Sequence, residues 1–332
     1  MKSLYPWQSE DWQRLQKLRE RLPNGILLSG MAGLGKFDLA LNFAQSLLCE
    51  TPENSGEACG QCPACHWFAQ GSHPDFRLLQ PDSLSQEAAE DEKGKKPSKQ
   101  ISVEQVRGLA DFVGMTSHRG GHRVVLVYPA ESMNINAANA LLKSLEEPPA
   151  GLVFILVSHQ PQQLLPTIRS RCLKFPLATP GTADVLVWLK QGGVANPEVA
   201  LAAAGYSPLR AMAEDDEAEN VMREKLLRAV RQPAAMDVFA LADTLGKTEQ
   251  VRVVHWLQQW TYDLLSTRLT GQPRYHLAEA ATLRQLVAER DPLSLVQLQK
   301  LLQTAKREAM HTLNSKLFFE SLLISYRQCL LD

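Results

Sequence analysis

No stretch of this 332-residue sequence is apolar for long enough to cross a bilayer, and neither sign of charge is in excess. Lys and Arg number 35 against 36 Asp and Glu, a net charge of −1. Nothing in that balance forces a basic face, so tight nucleic-acid binding by the chain alone is not implied. The opening Met1-Lys2-Ser3-Leu4-Tyr5-Pro6-Trp7 lacks the apolar core of a signal peptide. A cytoplasmic location is the default expectation. Cysteine is scarce, six in all, which points to metal ligands or buried thiols rather than disulfides. Large apolar side chains are also scarce between residues 82 and 100, where charges of both signs crowd together. That stretch is expected to be a solvated, mobile insertion with no core.

Two smaller absences say more. Gly30-Met31-Ala32-Gly33-Leu34-Gly35-Lys36-Phe37 follows the strand-like run Ile26-Leu27-Leu28 and opens a helix-like run through Cys49. Strand, glycine-rich turn, lysine and helix form the layout of a phosphate-binding loop. Glycines let backbone N–H groups face phosphate oxygens, and Lys36 would add positive charge there. The eighth position should carry a Ser or Thr hydroxyl for Mg²⁺, and it is Phe37. The second absence follows Val124-Val125-Leu126-Val127, a continuous apolar strand of the kind found in covered parallel sheets. A P-loop ATPase needs carboxylates after this strand to hold Mg²⁺ and position water. The residues are Tyr128-Pro129-Ala130-Glu131, and Glu131 comes late in the turn. Both losses strike the same metal. Gly30, Gly33, Gly35 and Lys36 retain the parts that hold a nucleotide, whereas hydrolysis is not expected.

The rest of the first half alternates strands and helices. Residues 1–25 read as an amphipathic lead-in with Trp12, Leu15 and Leu18 at helical spacing. Phe76-Arg77-Leu78-Leu79 and Val153-Phe154-Ile155-Leu156-Val157 read as strands. Ser102 and Gln105 form a capping-box pattern, and a helix through Ala137, Leu141 and Leu145 ends at Pro148-Pro149. This order indicates a doubly wound α/β domain. Strand signals fade after Pro176. Short helices are expected around Gly205-Tyr206-Ser207-Pro208, and from about 217 the chain reads as helical. Its apolar faces include Met222, Leu226, Ala229 and Val230; Val253, Trp256, Leu257 and Trp260; and Leu298, Leu301, Leu302 and Ala305.

Cys59, Cys62 and Cys65 are spaced C-x₂-C-x₂-C, and Cys49 closes the preceding helix. Four thiolates suit one tetrahedral Zn²⁺ in a closed, structural site. Iron–sulfur clusters use similar spacing, and His66 and His73 are rival fourth ligands. Cys172 and Cys329 stand apart as small buried residues. Further on, Arg171 follows the helix-like 164–169. An arginine at the end of an α/β module can reach an ATP held by an adjacent subunit and stabilise charge on its γ-phosphate.

Asn139-Ala140-Leu141-Leu142-Lys143-Ser144-Leu145-Glu146-Glu147-Pro148-Pro149 resembles a motif of the AAA+ clamp-loader subunits, as does Ile168-Arg169-Ser170-Arg171-Cys172. A cysteine module after the phosphate-loop helix is typical of the bacterial members, and the resemblance covers nearly the whole chain. It implies an α/β P-loop (RecA-like AAA+) domain over 1–176 with its zinc module at 49–66. A small helical lid over 177–213 and an all-α collar over 214–332 would follow. It also implies a non-hydrolysing subunit within the DNA polymerase III holoenzyme that lends Arg171 in trans. Cys49, Cys59, Cys62 and Cys65 would be its zinc ligands. The implied partners are the motor (gamma/tau) and delta subunits, and through them the sliding clamp and primer–template DNA. Ser158 falls where a polar nucleotide sensor sits in active relatives, and Arg210 falls one place later than their lid arginine. The insertion at 82–100 has no counterpart. Two other readings are an ATP-hydrolysing motor subunit with a divergent metal site and a zinc-dependent DNA-binding module. Phe37 opposes the first and the near-neutral charge the second.

Overall fold

The computed structural model describes residues 3–85, 97–117, 121–213, 217–309 and 314–331. Most of the charged insertion, 86–96, lies outside the described residues. The chain divides into two compact units, Met1–Val185 and Leu186–Asp332.

The first unit is built on five parallel strands: β1 (Gly25–Ser29), β2 (Phe76–Leu79), β3 (Arg123–Val127), β4 (Leu152–Ser158) and β5 (Leu173–Pro176). Their order is β2-β3-β4-β1-β5. β1 lies between β4 and β5, with Ile26 opposite Ile155 on one side and Leu173 on the other. Every residue of β3 and β4 is buried, as their unbroken apolar runs require for a sheet covered on both faces. Successive side chains alternate between the two covers. Ile26, Leu28, Val124, Leu126, Val153 and Ile155 join a core with α1 (Ser9–Lys17) and α2 (Lys36–Leu48). Leu27, Val125, Val127, Phe154 and Leu156 join the opposite core.

That second cover contains α4 (Val103–Arg107), α5 (Ala110–Gly114), α6 (Ile135–Glu146) and α7 (Pro166–Arg171), while α3 (Pro63–Ala69) belongs to the cysteine module. The expected capping box forms at α4, where Ser102 Oγ accepts from Gln105 N–H and Gln105 Oε1 from Ser102 N–H. At α6, Asn134 Oδ1 accepts from Ala137 N–H at 2.8 Å.

The second unit is helical among its described residues. Helices Glu217–Val230, Val238–Leu245, Gln250–Thr270, Ala280–Val287, Pro292–Glu308 and Ser315–Leu331 share one apolar core. The expected stripes supply it, except that Leu301 is 37% exposed. Its side chain falls at the margin of a stripe whose centre is Leu298 and Leu302. At the middle of this core Trp260 Nε1 donates to Tyr326 Oη at 2.8 Å, and Tyr326 Oη donates to Val230 O at 2.7 Å.

Tyr326→Phe removes the group that joins these buried partners and leaves an indole N–H and a carbonyl without water. The expected loss is roughly 1–3 kcal/mol of unfolding free energy, measured by urea denaturation. A change below a few tenths would show that the relay adds nothing to the packing.

Candidate functional site

The carboxyl ends of parallel strands are where α/β sheets bind ligands. Here the loop after β1, the turn after β3 and Ser158 at the end of β4 gather on that edge. Gly33 and Gly35 take φ values of 76° and 77°, which a residue with Cβ rarely adopts. Gly35 also has no room for one: a Cβ would sit 2.5 Å from the Tyr5 ring.

That contact belongs to a bracket the sequence does not advertise. Tyr5, Trp7 and Gln8 close over the outer side of the loop. Gln8 Nε2 donates to Leu34 O and Gly35 O, and Trp7 Nε1 donates to Leu34 O. Tyr5 Oη donates to Asp38 Oδ2 at 2.9 Å in the first turn of α2. The Tyr5 and Trp7 rings stack at 5.1 Å. The sequence pattern marks this segment only as lead-in, and two aromatics beside a proline are its one visible sign of local structure.

Lys36 is 2% exposed, and its ammonium is turned onto the loop itself. Nζ donates to Gly30 O at 2.7 Å and to Met31 O. Burial pushes its pKa down to about 8, opposed in part by the nearby Glu131 carboxylate. Glu131 accepts the His159 N–H at 2.9 Å. Ser158 is fully buried, and its hydroxyl accepts from Gln160 N–H. Lys36, Ser158 and one oxygen of Glu131 are thus engaged by neighbouring protein atoms, whereas Glu131 Oε2 is buried without a hydrogen-bond partner.

Phe37 and Tyr128, far apart in sequence, touch. Their rings stack at 4.3 Å with 29° between planes, and His159 meets Tyr128 edge-on at 5.7 Å. The positions where a P-loop enzyme has its metal-binding hydroxyl and carboxylate are joined into an aromatic contact. Magnesium requires oxygen ligands in near-octahedral array, and neither ring has one to give except the Tyr128 hydroxyl, whose pKa burial raises.

Cys49, Cys59, Cys62 and Cys65 converge, all four sulfurs lying within 4.8 Å of one another. Three pairs are separated by 3.5, 3.9 and 4.0 Å. A tetrahedron of thiolates about 2.3 Å from one metal has edges of about 3.8 Å. Backbone N–H groups of Cys59, Gln61 and Cys62 point at Cys49 Sγ or Cys59 Sγ. The Thr51 hydroxyl and the Gln61 and Cys62 amides bring the Cys59 thiol down to about 6, while burial raises Cys49 and Cys65. A cation would offset that burial. The set could hold a metal ion. The rival ligands stand outside it: His66 is exposed, and His73 Nδ1 accepts from Asp75 N–H. Trp12 Nε1 and Arg19 fasten the loop to the lead-in through Ser55 O and Gly56 O, and Arg19 also bonds Ser46 O in α2.

Arg171 is the last residue of α7 rather than part of a following loop, because the helix starts at Pro166 and runs on to a cap at Cys172. The side chain is 35% exposed, and Nη2 meets Glu146 Oε1 at 2.6 Å. Cys172 is buried beneath it, with its thiol pushed up to about 11. Arg210, in the second unit, lines a cavity of about 170 Å³ with Arg223, Arg252 and His255. Burial, then Arg210, Lys306 and Arg223, pushes His255 down to about 4.

The Lys36 shift has a consequence for stability. An unfolded lysine keeps its proton up to about 10.4, whereas the folded one releases it near 8. Unfolding therefore takes up a proton between those values, and stability rises with pH across that window. Lys36→Met should flatten the rise relative to the parent in urea unfolding from pH 7 to 10.5. Parallel curves would mean the ammonium is hydrated.

The matching family model, described as "DNA polymerase III, delta subunit", spans residues 7–180, more than half of the chain. A Pseudomonas aeruginosa DNA polymerase III subunit delta' is 37% identical over 98% of both chains. The Haemophilus influenzae subunit delta' is 31% identical over 93% of this chain and 92% of its own. An Escherichia coli DNA polymerase III subunit tau is 36% identical over 47% of this chain and 22% of its own. The chain belongs to the delta' family of DNA polymerase III subunits.

Proposed function

We propose that this chain is the non-hydrolysing member of a clamp-loader complex, acting on ATP held by a neighbouring subunit. The observation that carries the proposal is the Phe37–Tyr128 stack, which occupies both expected metal-binding positions beside a lysine turned onto its own loop. In this reading the first unit is a RecA-like AAA+ module, and the helices after Pro176 are a lid and a collar that joins the ring. The partners are motor subunits of the gamma/tau kind and a delta subunit, with the sliding clamp and primer–template DNA reached through the assembly. The tau match over 47% of the chain supports a shared module with the motor subunits.

Arg171 supplies the chemistry. Its guanidinium lies at an exposed helix end and can extend its remaining N–H groups toward a neighbour. A phosphoryl transition state spreads negative charge over the γ-phosphate oxygens, and an arginine supplied in trans stabilises it. The metal held by Cys49, Cys59, Cys62 and Cys65 is zinc, since an all-thiolate, closed tetrahedron is its usual structural site. It ties the end of α2 to α3 and takes no part in ATP chemistry.

Arg171→Ala should leave the complex assembled while ATP turnover at the adjacent motor site falls by roughly 10³-fold or more. The other subunits' arginines are disabled first so that one site is read. Equal turnover in variant and parent complexes would overturn the assignment, and Mg²⁺-dependent hydrolysis by the isolated chain would overturn the non-hydrolysing role.

Protein purified without added metal should carry about one zinc per chain, falling in Cys62→Ser. A brown sample containing iron and sulfide would replace zinc with a cluster.

A further inference from the structure

The Arg171 side chain is held at both ends of its fork. Nη1 donates to Thr167 O at 3.1 Å, one turn back on its own helix, while Nη2 pairs with Glu146 Oε1 at 2.6 Å. Glu146 is the last residue of α6, where the helix stops before Pro148-Pro149. α6 and α7 both pack into the core beneath the sheet, through Leu141 and Leu145 on one and Ile168 on the other. The two helix ends are fixed relative to each other, so the carboxylate meets the guanidinium from a set direction.

The geometry points to Glu146 as the positioning residue for Arg171. This rests on the reading that Arg171 serves a neighbour's ATP. Glu146 itself touches no nucleotide in that scheme. A solvated arginine at a helix end samples many rotamers, and gathering them costs binding or transition-state energy each time. Two contacts on different nitrogens set the plane of the guanidinium and its reach. They use two of its five N–H groups and leave the others for phosphate oxygens. The carboxylate is 47% exposed, so the pair is solvent-screened, and its effect is modest beside that of the arginine. Such orientation acts on the chemical step and leaves the affinity of the neighbouring site for ATP unchanged.

The test uses the assembled complex with a single arginine-dependent ATP site. Glu146→Ala should lower kcat roughly three- to ten-fold with KM for ATP unchanged. Glu146→Asp, which keeps the charge, should recover part of the loss, and Glu147→Ala on the next residue should behave as the parent. In an Arg171→Ala background Glu146→Ala should produce no further loss, because its effect passes through the arginine. Unchanged or raised kcat in Glu146→Ala would overturn the inference, as would an equal loss with Arg171 already removed. If Arg171→Ala alone leaves turnover unaltered, it is the arginine's role that fails, which separates the two conclusions.

Discussion

A divalent magnesium ion needs oxygen around it, and Phe37 and Tyr128 meet ring to ring at the positions where a P-loop enzyme has its hydroxyl and carboxylate. The rest of the first unit is compatible with nucleotide chemistry: β1 is central, its glycine loop turns into α2, and the lysine is in place. The pairing of a ring in the first turn of α2 with one just after β3 is what carries the proposed non-hydrolysing reading. Neither substitution alone would be so telling, since a missing ligand can be replaced by water. Two rings in contact leave no vacancy of that kind between them. The ammonium of Lys36 then has loop carbonyls and Glu131 as its electrostatic company.

Much of this is legible in the sequence alone. The continuous apolar runs at Val124–Val127 and Val153–Val157 could satisfy their burial only inside a covered parallel sheet, and they do. The C-x₂-C-x₂-C spacing with Cys49 required a common point, and the four sulfurs share one. Phe37 and Tyr128 were each visible as a departure from a chemical requirement. What spacing could not give was their mutual contact, because it depends on the β1–β4–β3 order rather than on local periodicity. The same holds for Glu146 and Arg171, which sit in separate motifs joined only by the packing of α6 on α7. The helix before Cys172 departs from the sequence pattern for a local reason: Pro166 fixes the first turn, so the helix begins and ends two residues later than 164–169.

The two polar devices of the structure illustrate different uses of hydrogen bonding. In the second unit, Trp260, Tyr326 and Val230 form a relay hidden from water, where each partner is costly to leave unpaired. At the Arg171 end, contacts with Thr167 and Glu146 stand half in solvent, where their contribution to folding is small. Their value lies in direction rather than in stability.

The bracket made by Tyr5, Trp7 and Gln8 carries one more implication. Gln8 and Trp7 bond the carbonyls of Leu34 and Gly35, and the Tyr5 ring and Gln8 amide fill the space above Gly35. A loop that signals nucleotide state must exist in at least two shapes of similar energy. Here the ordering entropy of the loop is already spent within the chain. In the proposed reading, where neighbouring subunits alternate between forms as they consume ATP, a loop bracketed in this way would be the fixed reference for their movement.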